Sequence, residues 1–393
     1  MSAPLPTVLL LHNRYRERGG EERALLEQVN LLRQRGHRVE LLERSSEELV
    51  GVSGRARAAR ALLRGGEPRQ EVAAAVRDTG AAVVHAHNLH PLLGARALEE
   101  ARGAGARTIL QLHNFRLWCA IGVAYREGAV CHRCRGRDTL PGLRLRCRGG
   151  LREAAVYAAG LARQQPRLLA GADRLIALSE ASRAAMGELG LPLERTDVIA
   201  NPLPSGAFAS ASAADRGSYA LCVGRLVPEK GFDLAIAAAR VAGIPLRIAG
   251  RGPEEGRLRE LAAGVSDVEL LGQLDRDALD RVRAGACVVL APSRWEEHCP
   301  YAVLEAMAAG VPVLASAIGG LPELAGQGAS LPVGDAAAWA RALAGLWGDP
   351  DERRSRGEGA IARAREVAGD EVVYRALMGV YARAGVAGAG VGG

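Results

Sequence analysis

The stretch WEEHCPYAVLEAMAAGVPVLASAIGGLPEL, Trp295 to Leu324, reads as loop, helix, strand and loop in turn. Pro300 suits the first position of a helix, where its fixed φ is already helical and its missing N–H would have no partner anyway. Glu297 then lies in the loop before the helix and Glu305 inside it. On one continuous helix, residues eight apart sit about 80° from each other around the axis; with a loop between them, both carboxylates can face one pocket. The amides around Tyr301, Ala302 and Val303 open that helix and would offer its dipole to a phosphate. VPVLAS follows as a short apolar run, set between Gly310 and the Gly319-Gly320 pair.

The same alternation extends outward from this stretch. Upstream lie strand YALCVGR, helix DLAIAAARVA, strand PLRIAG, helix PEEGRLRELA, strand VELLG, helix RDALDRVRAG and strand CVVLAPS, and downstream lies helix DAAAWARALAGLW. The amino half repeats the scheme with strands at 7–12 (TVLLLH), 38–42 (RVELL), 81–87 (AAVVHAH) and 107–114 (RTILQLHN). Strands alternating with helices predict parallel sheets with right-handed crossovers. Between the halves, NPLPSGAFASASAADRGS (201–218) loses all periodicity and is expected to be a hinge. The chain is therefore read as α/β, with two doubly wound Rossmann-like parallel-sheet domains at 1–200 and 219–365. A helix at 366–384 is expected to return to the first domain, and a low-complexity tail at 385–393 is expected to fray. Ligands of such sheets bind at the carboxyl ends of the strands, so the loops after strands are where chemistry is sought.

Composition narrows the function classes. Of 393 residues 48% are apolar, ample for two cores, and no unbroken apolar run reaches membrane-spanning length. The start, MSAPLPTVLLLHNRY, lacks a basic n-region and reads as a buried strand, which points to the cytoplasm. Residues 1–200 carry 31 arginines against 21 carboxylates, whereas residues 201–393 carry 20 basic side chains against 23 acidic ones. A basic amino half suits an anionic membrane surface, at the inner face of the membrane, or an acidic substrate as well as a merely solvated surface. The 14 aromatics are not interleaved with basic runs, which argues against nucleic acid.

Carboxylates such as Glu297 and Glu305 accept paired hydrogen bonds from vicinal hydroxyls, as recognition of a ribose or hexose demands. Glu297-x7-Glu305 with EAMAAGVPVLAS and GGLPEL, together with GRLVPEKGF and IAGRGPEEGRL upstream, resembles glycosyltransferase family 4, the retaining GT-B-fold sugar transferases. RGGEERALLEQVNLLRQRGHRVELL is similar to the family's glycine loop and first helix, and ILQLHNF to its histidine-bearing loop. The resemblance implies two domains facing across a cleft, and transfer of a hexose-type sugar from a nucleotide-diphospho-sugar to a glycan, lipid-linked or small-molecule acceptor. Such work belongs to carbohydrate and cell-envelope polysaccharide biosynthesis. It implies that Arg225 and Lys230 hold the diphosphate, that Glu305 binds the ribose, and that Glu297 binds the transferred sugar. It also implies that His113 lies beside the reacting sugar, with Asn114 next to it, and that Gly19 and Gly20 let backbone approach donor phosphate and acceptor. Gly250 and Gly252 would let their loop approach the nucleotide. Fixed cations aimed at the departing diphosphate lower the barrier, so no divalent metal is obligatory. Among His12, His85, His87 and His113, all at strand ends, only the resemblance singles out His113. Cys299-Pro300 replaces the Phe-Gly of many members, which bears on sugar identity. The alternatives are a nucleotide-sugar epimerase or an inactive nucleotide-sugar-binding protein of the same fold.

Lys230, in GRLVPEKGF, is the only lysine in the chain. Gly250 to Gly256 also looks like a loosened dinucleotide fingerprint, with Glu269 at the end of the next strand, but no catalytic pair for hydride chemistry accompanies it. Cys119, Cys131, Cys134 and Cys147 crowd into an insertion at about 115–150, where the CHRC pair has metal-ligand spacing. They are read either as a structural four-thiolate zinc site or as incidental reduced thiols, disulfides being disfavoured in a reducing compartment.

Overall fold

A computed structural model describes residues 4–15, 19–67, 70–264 and 267–389. The chain divides into two compact units: Met1–Ala124 with Cys131–Pro202 and Val373–Gly393, and Leu203–Val372 with Tyr125–Val130.

The first unit is built on strands β1 (Val8–Arg14), β2 (Val39–Ser45), β3 (Val83–Ala86) and β4 (Arg107–Gln111). A two-stranded hairpin, β5 (Tyr125–Arg126) and β6 (Ala129–Val130), interrupts the series before β7 (Arg174–Ala177) and β8 (Thr196–Val198). The sheet is wholly parallel, in the order β2-β1-β3-β4-β7-β8. Its inner strands β1, β3, β4 and β7 are built on apolar runs because both faces are covered. Leu9 and Leu11 point into one core, with Val72, Val76, Leu98 and Leu168 from the helices Glu71–Thr79, Gly94–Gly103 and Leu151–Gly171. Val8 and Leu10, one residue out of phase, point into the other. That second core holds Leu25, Val29 and Leu32 of the helix Gly20–Gln34 and, from the far end of the sequence, Val373, Leu377, Met378 and Tyr381.

The second unit contains β9 (Tyr219–Val223), β10 (Leu246–Ala249), β11 (Val268–Gly272), β12 (Ala286–Ala291), β13 (Val313–Ser316) and β14 (Ser330–Leu331). They form one parallel sheet in the order β11-β10-β9-β12-β13-β14. Ala220, Cys222, Ile248, Val288 and Leu290 of the strands bury against the helices Phe232–Ala242 and Ala336–Gly348. Strand order reverses between β9 and β12 here, and between β1 and β3 in the first unit. The loops that follow those strands flank the crevices where doubly wound sheets bind ligands.

Several expectations change. The first sheet has two strands beyond the four expected, β7 and β8, and the second gains β14. Residues from 203 onward do not run free. The Ser212 hydroxyl donates to the carbonyl of Gly310 (2.6 Å), and the buried Arg353 guanidinium donates to those of Ala214 (2.9 Å) and Asp215 (2.7 Å). At the carboxyl terminus Val386 and Ala389 are buried in the first unit rather than frayed; residues 390–393 lie outside the described residues.

Candidate active site

In the second unit the loops after β9 and β12 bring Lys230 to Glu297. The ammonium donates to both carboxylate oxygens, at 2.8 and 2.7 Å, and the buried Ser293 hydroxyl donates a short third bond to Oε1. Both side chains are largely buried, 16% exposed for Lys230 and 6% for Glu297. Lys230 therefore faces a carboxylate, where the sequence reading placed it on a diphosphate. Glu305 has a different partner. Its Oε2 accepts 2.6 Å from Nη2 of Arg283, itself 5% exposed. The two glutamates are held by separate cations. Arg225 is exposed at the mouth of β9.

The helix that carries Glu305 starts one residue later than expected. Pro300 has φ −74° and ψ 127°, so it caps the helix Tyr301–Ala308 from an extended backbone instead of forming its first turn. The amides of Val303 and Leu304 both donate to the Pro300 carbonyl (3.1 and 3.2 Å), so Val303 N–H is already committed within the helix. Tyr301 and Val303 bury their side chains. Gly250 and Gly252 have a structural reason to be glycine. A Cβ at Gly250 would overlap the carbonyl of Gly224, and one at Gly252 the carbonyl of Leu226. Bare backbone at these positions lets the loop after β10 lie against the loop that leads to Lys230.

In the first unit the loops after β1, β3 and β4 enclose a small cavity lined by Glu21, His87, His90, His113, Asn114 and Arg116, among others. Glu22 organises its edge: its carboxylate accepts from the amides of Tyr15 (3.0 Å) and Gly19 (2.9 Å) and lies 3.7 Å from His12 Nε2. Gly19 thus turns its N–H to Glu22, and Gly19 and Gly20 are both exposed. Glu21, the preceding residue, accepts from the Tyr15 hydroxyl (3.0 Å) and Asn114 Nδ2 (3.2 Å). Burial raises its carboxyl to about 7, with His12 opposing and Glu22 adding to the shift.

The four histidines separate by environment. His85 is fully partnered: Nδ1 meets Gln28 Nε2 (2.8 Å) and the Tyr381 hydroxyl (2.9 Å), and Nε2 meets Gln111 Oε1 (3.1 Å). Its role is to tie the sheet to the returning helix, and burial lowers it to about 3. His12 is buried beneath Glu22. His87 stacks between His85 (5.1 Å between centroids) and His113 (5.0 Å), and its Nδ1 lies 2.8 Å from His113 Nε2. Burial, then the neighbouring His113, His85 and His12, lowers His87 well below the usual imidazole range. His113 alone of the four is partly exposed. Ser293, Glu21, Tyr15, Arg283 and His87 are contributors the sequence reading did not assign. Ser293 ends CVVLAPS and Glu21 follows the Gly-Gly pair, so position alone could have nominated those two.

Cys119, Cys131, Cys134 and Cys147 are free thiols. Burial, with the other three thiols acting in the same direction, pushes Cys134 up to about 11 against the Gly142 backbone. Among the described residues no group of three or more His, Cys, Asp or Glu is arranged to hold a metal ion.

The family model for glycosyltransferase family 4 matches residues 18–205, and that for glycosyl transferases group 1 matches residues 207–363. An exopolysaccharide phosphotransferase of Streptomyces coelicolor is 35% identical over 214 residues, 51% of this chain and 22% of that protein. The D-inositol 3-phosphate glycosyltransferase of Nocardia farcinica is 33% identical over 232 residues, 51% of this chain and 50% of that protein. The chain thus spans half or less of the length of these relatives. Among solved structures, Anabaena HepE in complex with UDP-glucose superposes with a TM-score of 0.64 at 18% identity, over 96% of this chain and 100% of that one. Sucrose-phosphate synthase from Thermosynechococcus elongatus gives 0.67 at 19% identity, over 96% and 98%.

Proposed function

A chain matched successively by these two models belongs to the group 1 glycosyl transferases and has their GT-B fold, and from that premise we propose that it is a retaining, nucleotide-sugar-dependent hexosyltransferase. The observation that carries this reading is the Lys230–Glu297–Ser293 cluster at the carboxyl-terminal edge of the second sheet. Glu297 is held there by a single cation and one hydroxyl. In our reading a donor diphosphate competes for Lys230, with exposed Arg225 beside it, and the carboxylate is released toward hydroxyls of the transferred sugar. Glu305, steadied by Arg283, takes the ribose. Gly250, Gly252 and the helix start at Tyr301, Ala302 and Val303 supply close backbone approach. The first unit takes the acceptor beside His113 and Asn114, within reach of the loop at Gly19 and Gly20.

The transfer breaks the bond between the anomeric carbon and the diphosphate oxygen and forms one to the acceptor oxygen on the same face. The acceptor's proton leaves with the nucleoside diphosphate. Charge grows on the diphosphate as the bond stretches, which is where Lys230 and Arg225 are most effective. Likeness to HepE, known in complex with UDP-glucose, and to relatives named for inositol-based acceptors favours this donor class and a polyol or lipid-linked acceptor. The Arg-rich first unit, with exposed Val50, Val52, Arg55 and Arg60 along and just before the helix Gly51–Arg64, also suits contact with an anionic membrane. The test is thermal shift against UDP-glucose, UDP-N-acetylglucosamine and GDP-mannose, followed by product analysis of the best binder with polyol acceptors. A specific rise in Tm and an α-linked product are expected. Absence of stabilisation by every donor would overturn the assignment.

A further inference from the structure

His87 is 3% exposed, and its Nε2 is buried with no hydrogen-bond partner among the described residues. Its other nitrogen, Nδ1, meets His113 Nε2 at 2.8 Å. A neutral imidazole carries one proton, and the two choices for His87 are not equivalent. With the proton on Nε2, an N–H is left buried and unpaired; with the proton on Nδ1, only a lone pair is. Orphaned buried N–H groups are the rarer and costlier defect. Burial removes a third choice, since a doubly protonated His87 would be a cation sealed in the interior beside His113, His85 and His12.

We propose that His87 is a positioning residue that donates from Nδ1 to His113 Nε2 and so fixes His113 as its Nδ1–H tautomer. His113 Nε2 is then occupied as an acceptor, and this imidazole carries its proton on Nδ1 instead of serving as a base through Nε2. His85, pinned by Gln28, Gln111 and Tyr381, keeps the His87 ring in register, so the geometry extends from the returning helix to the cavity. Glu21, His90 and Arg116 are the other ionisable groups around that cavity. This inference gives chemical content to the role proposed above for His113 and rests on that reading for its functional meaning.

Long-range proton–nitrogen correlation spectra of the full-length, histidine-labelled protein test it without any substrate, with His113→Asn and His87→Asn used for assignment. Wild type is expected to show His113 and His87 each with a protonated Nδ1 and a bare Nε2 between pH 6 and 8. In His87→Ala the His113 signals should shift to a mixture containing the Nε2–H form. In His87→Asn, whose amide nitrogen takes the place of Nδ1, the wild-type tautomer should return. His113 protonated at Nε2 in wild type, or unchanged in His87→Ala, would overturn the proposal. Should His87→Ala not fold, the wild-type spectrum alone decides. A correct tautomer in a protein that transfers no sugar would leave this inference standing and remove the transferase reading instead.

Discussion

A single side chain, Lys230, tests most of the proposed chemistry. Its ammonium is a compact cation shared between two oxygens of Glu297 at 2.7 and 2.8 Å, under a cover that leaves it 16% exposed. A guanidinium is planar, wider and forked, and it does not fit the same space as a point charge. Lys230→Arg is expected to lower kcat about a hundredfold, the cost of one misplaced transition-state donor, with Tm within a few degrees of wild type. A fully active variant would remove Lys230 from the diphosphate. The buried histidines make a separate prediction about pH. His85 and His90 are each lowered to about 3 by burial, His90 also by Arg116, and His87 is lowered well below its ordinary value. Unfolded, all three take up protons near pH 6.5, while folded they do not, so the unfolded state binds more protons below that pH. Stability is therefore full above about pH 6.5 and falls as pH drops toward 3, by roughly 1.4 kcal/mol per pH unit for each histidine. Glu21, raised to about 7, acts in the opposite sense between its ordinary value and 7, where the fold favours its neutral acid. Urea midpoints measured at pH 7, 6 and 5 should decline, and His85→Gln should flatten the decline.

At the scale of elements, glycine decides how two loops of the second unit lie. Gly250 has φ +146°, and its missing Cβ is the space occupied by the Gly224 carbonyl. Gly250→Ala combines an unfavourable backbone region with a backbone clash, a cost on the order of 1–3 kcal/mol or more. Its Tm should drop by several degrees and Lys230 should be displaced, whereas Gly256→Ala, which meets open space inside a helix, should be neutral or slightly stabilising. Equal effects from the two substitutions would show that the close approach does not matter. This contrast also shows what sequence could and could not tell. The strands β1, β3, β4, β9, β10, β12 and β13 were legible because strands buried on both faces are short apolar runs between glycine-bearing loops, and the edge strands β2 and β11 through the apolar residues of RVELL and VELLG. RLIA (β7) is hard to read as a strand because it is four residues behind a long helix, and TDV (β8) and SL (β14) because short edge strands carry polar residues and no pattern. Glu297, Glu305 and Lys230 were legible through motif spacing. Ser293, four residues before Glu297 in the same loop after β12, lies within reach of position alone; Arg283 does not, because its pairing with Glu305 22 positions away depends on how the helices Arg276–Ala284 and Tyr301–Ala308, which follow different strands, lie together.

Over the whole molecule, the first unit is discontinuous: its second core is completed by residues that follow the entire second unit. Val373, Leu377, Met378, Val380 and Tyr381 are each at most 2% exposed, and the Tyr381 hydroxyl bonds to His85 at the centre of the sheet. Burying five such side chains contributes on the order of 10 kcal/mol. That is as large as the net stability of a typical domain, about 5–15 kcal/mol. The consequence is asymmetric. Truncation after Val372 removes this layer from the first unit and takes nothing from the hydrophobic cluster that packs β9, β10 and β12 in the second. The truncated protein is therefore expected to lose the first unit's cooperative melting transition and bind a hydrophobic dye, while the second unit keeps a transition of its own. A synthetic peptide of residues 373–393, added in excess, should restore part of the lost transition, since its hydrophobic face and Tyr381 are what the exposed sheet lacks. Retention of both transitions after truncation would show that the first unit closes its core without the returning helix, and with it would fall the role assigned here to the Tyr381–His85 bond in holding the histidine stack.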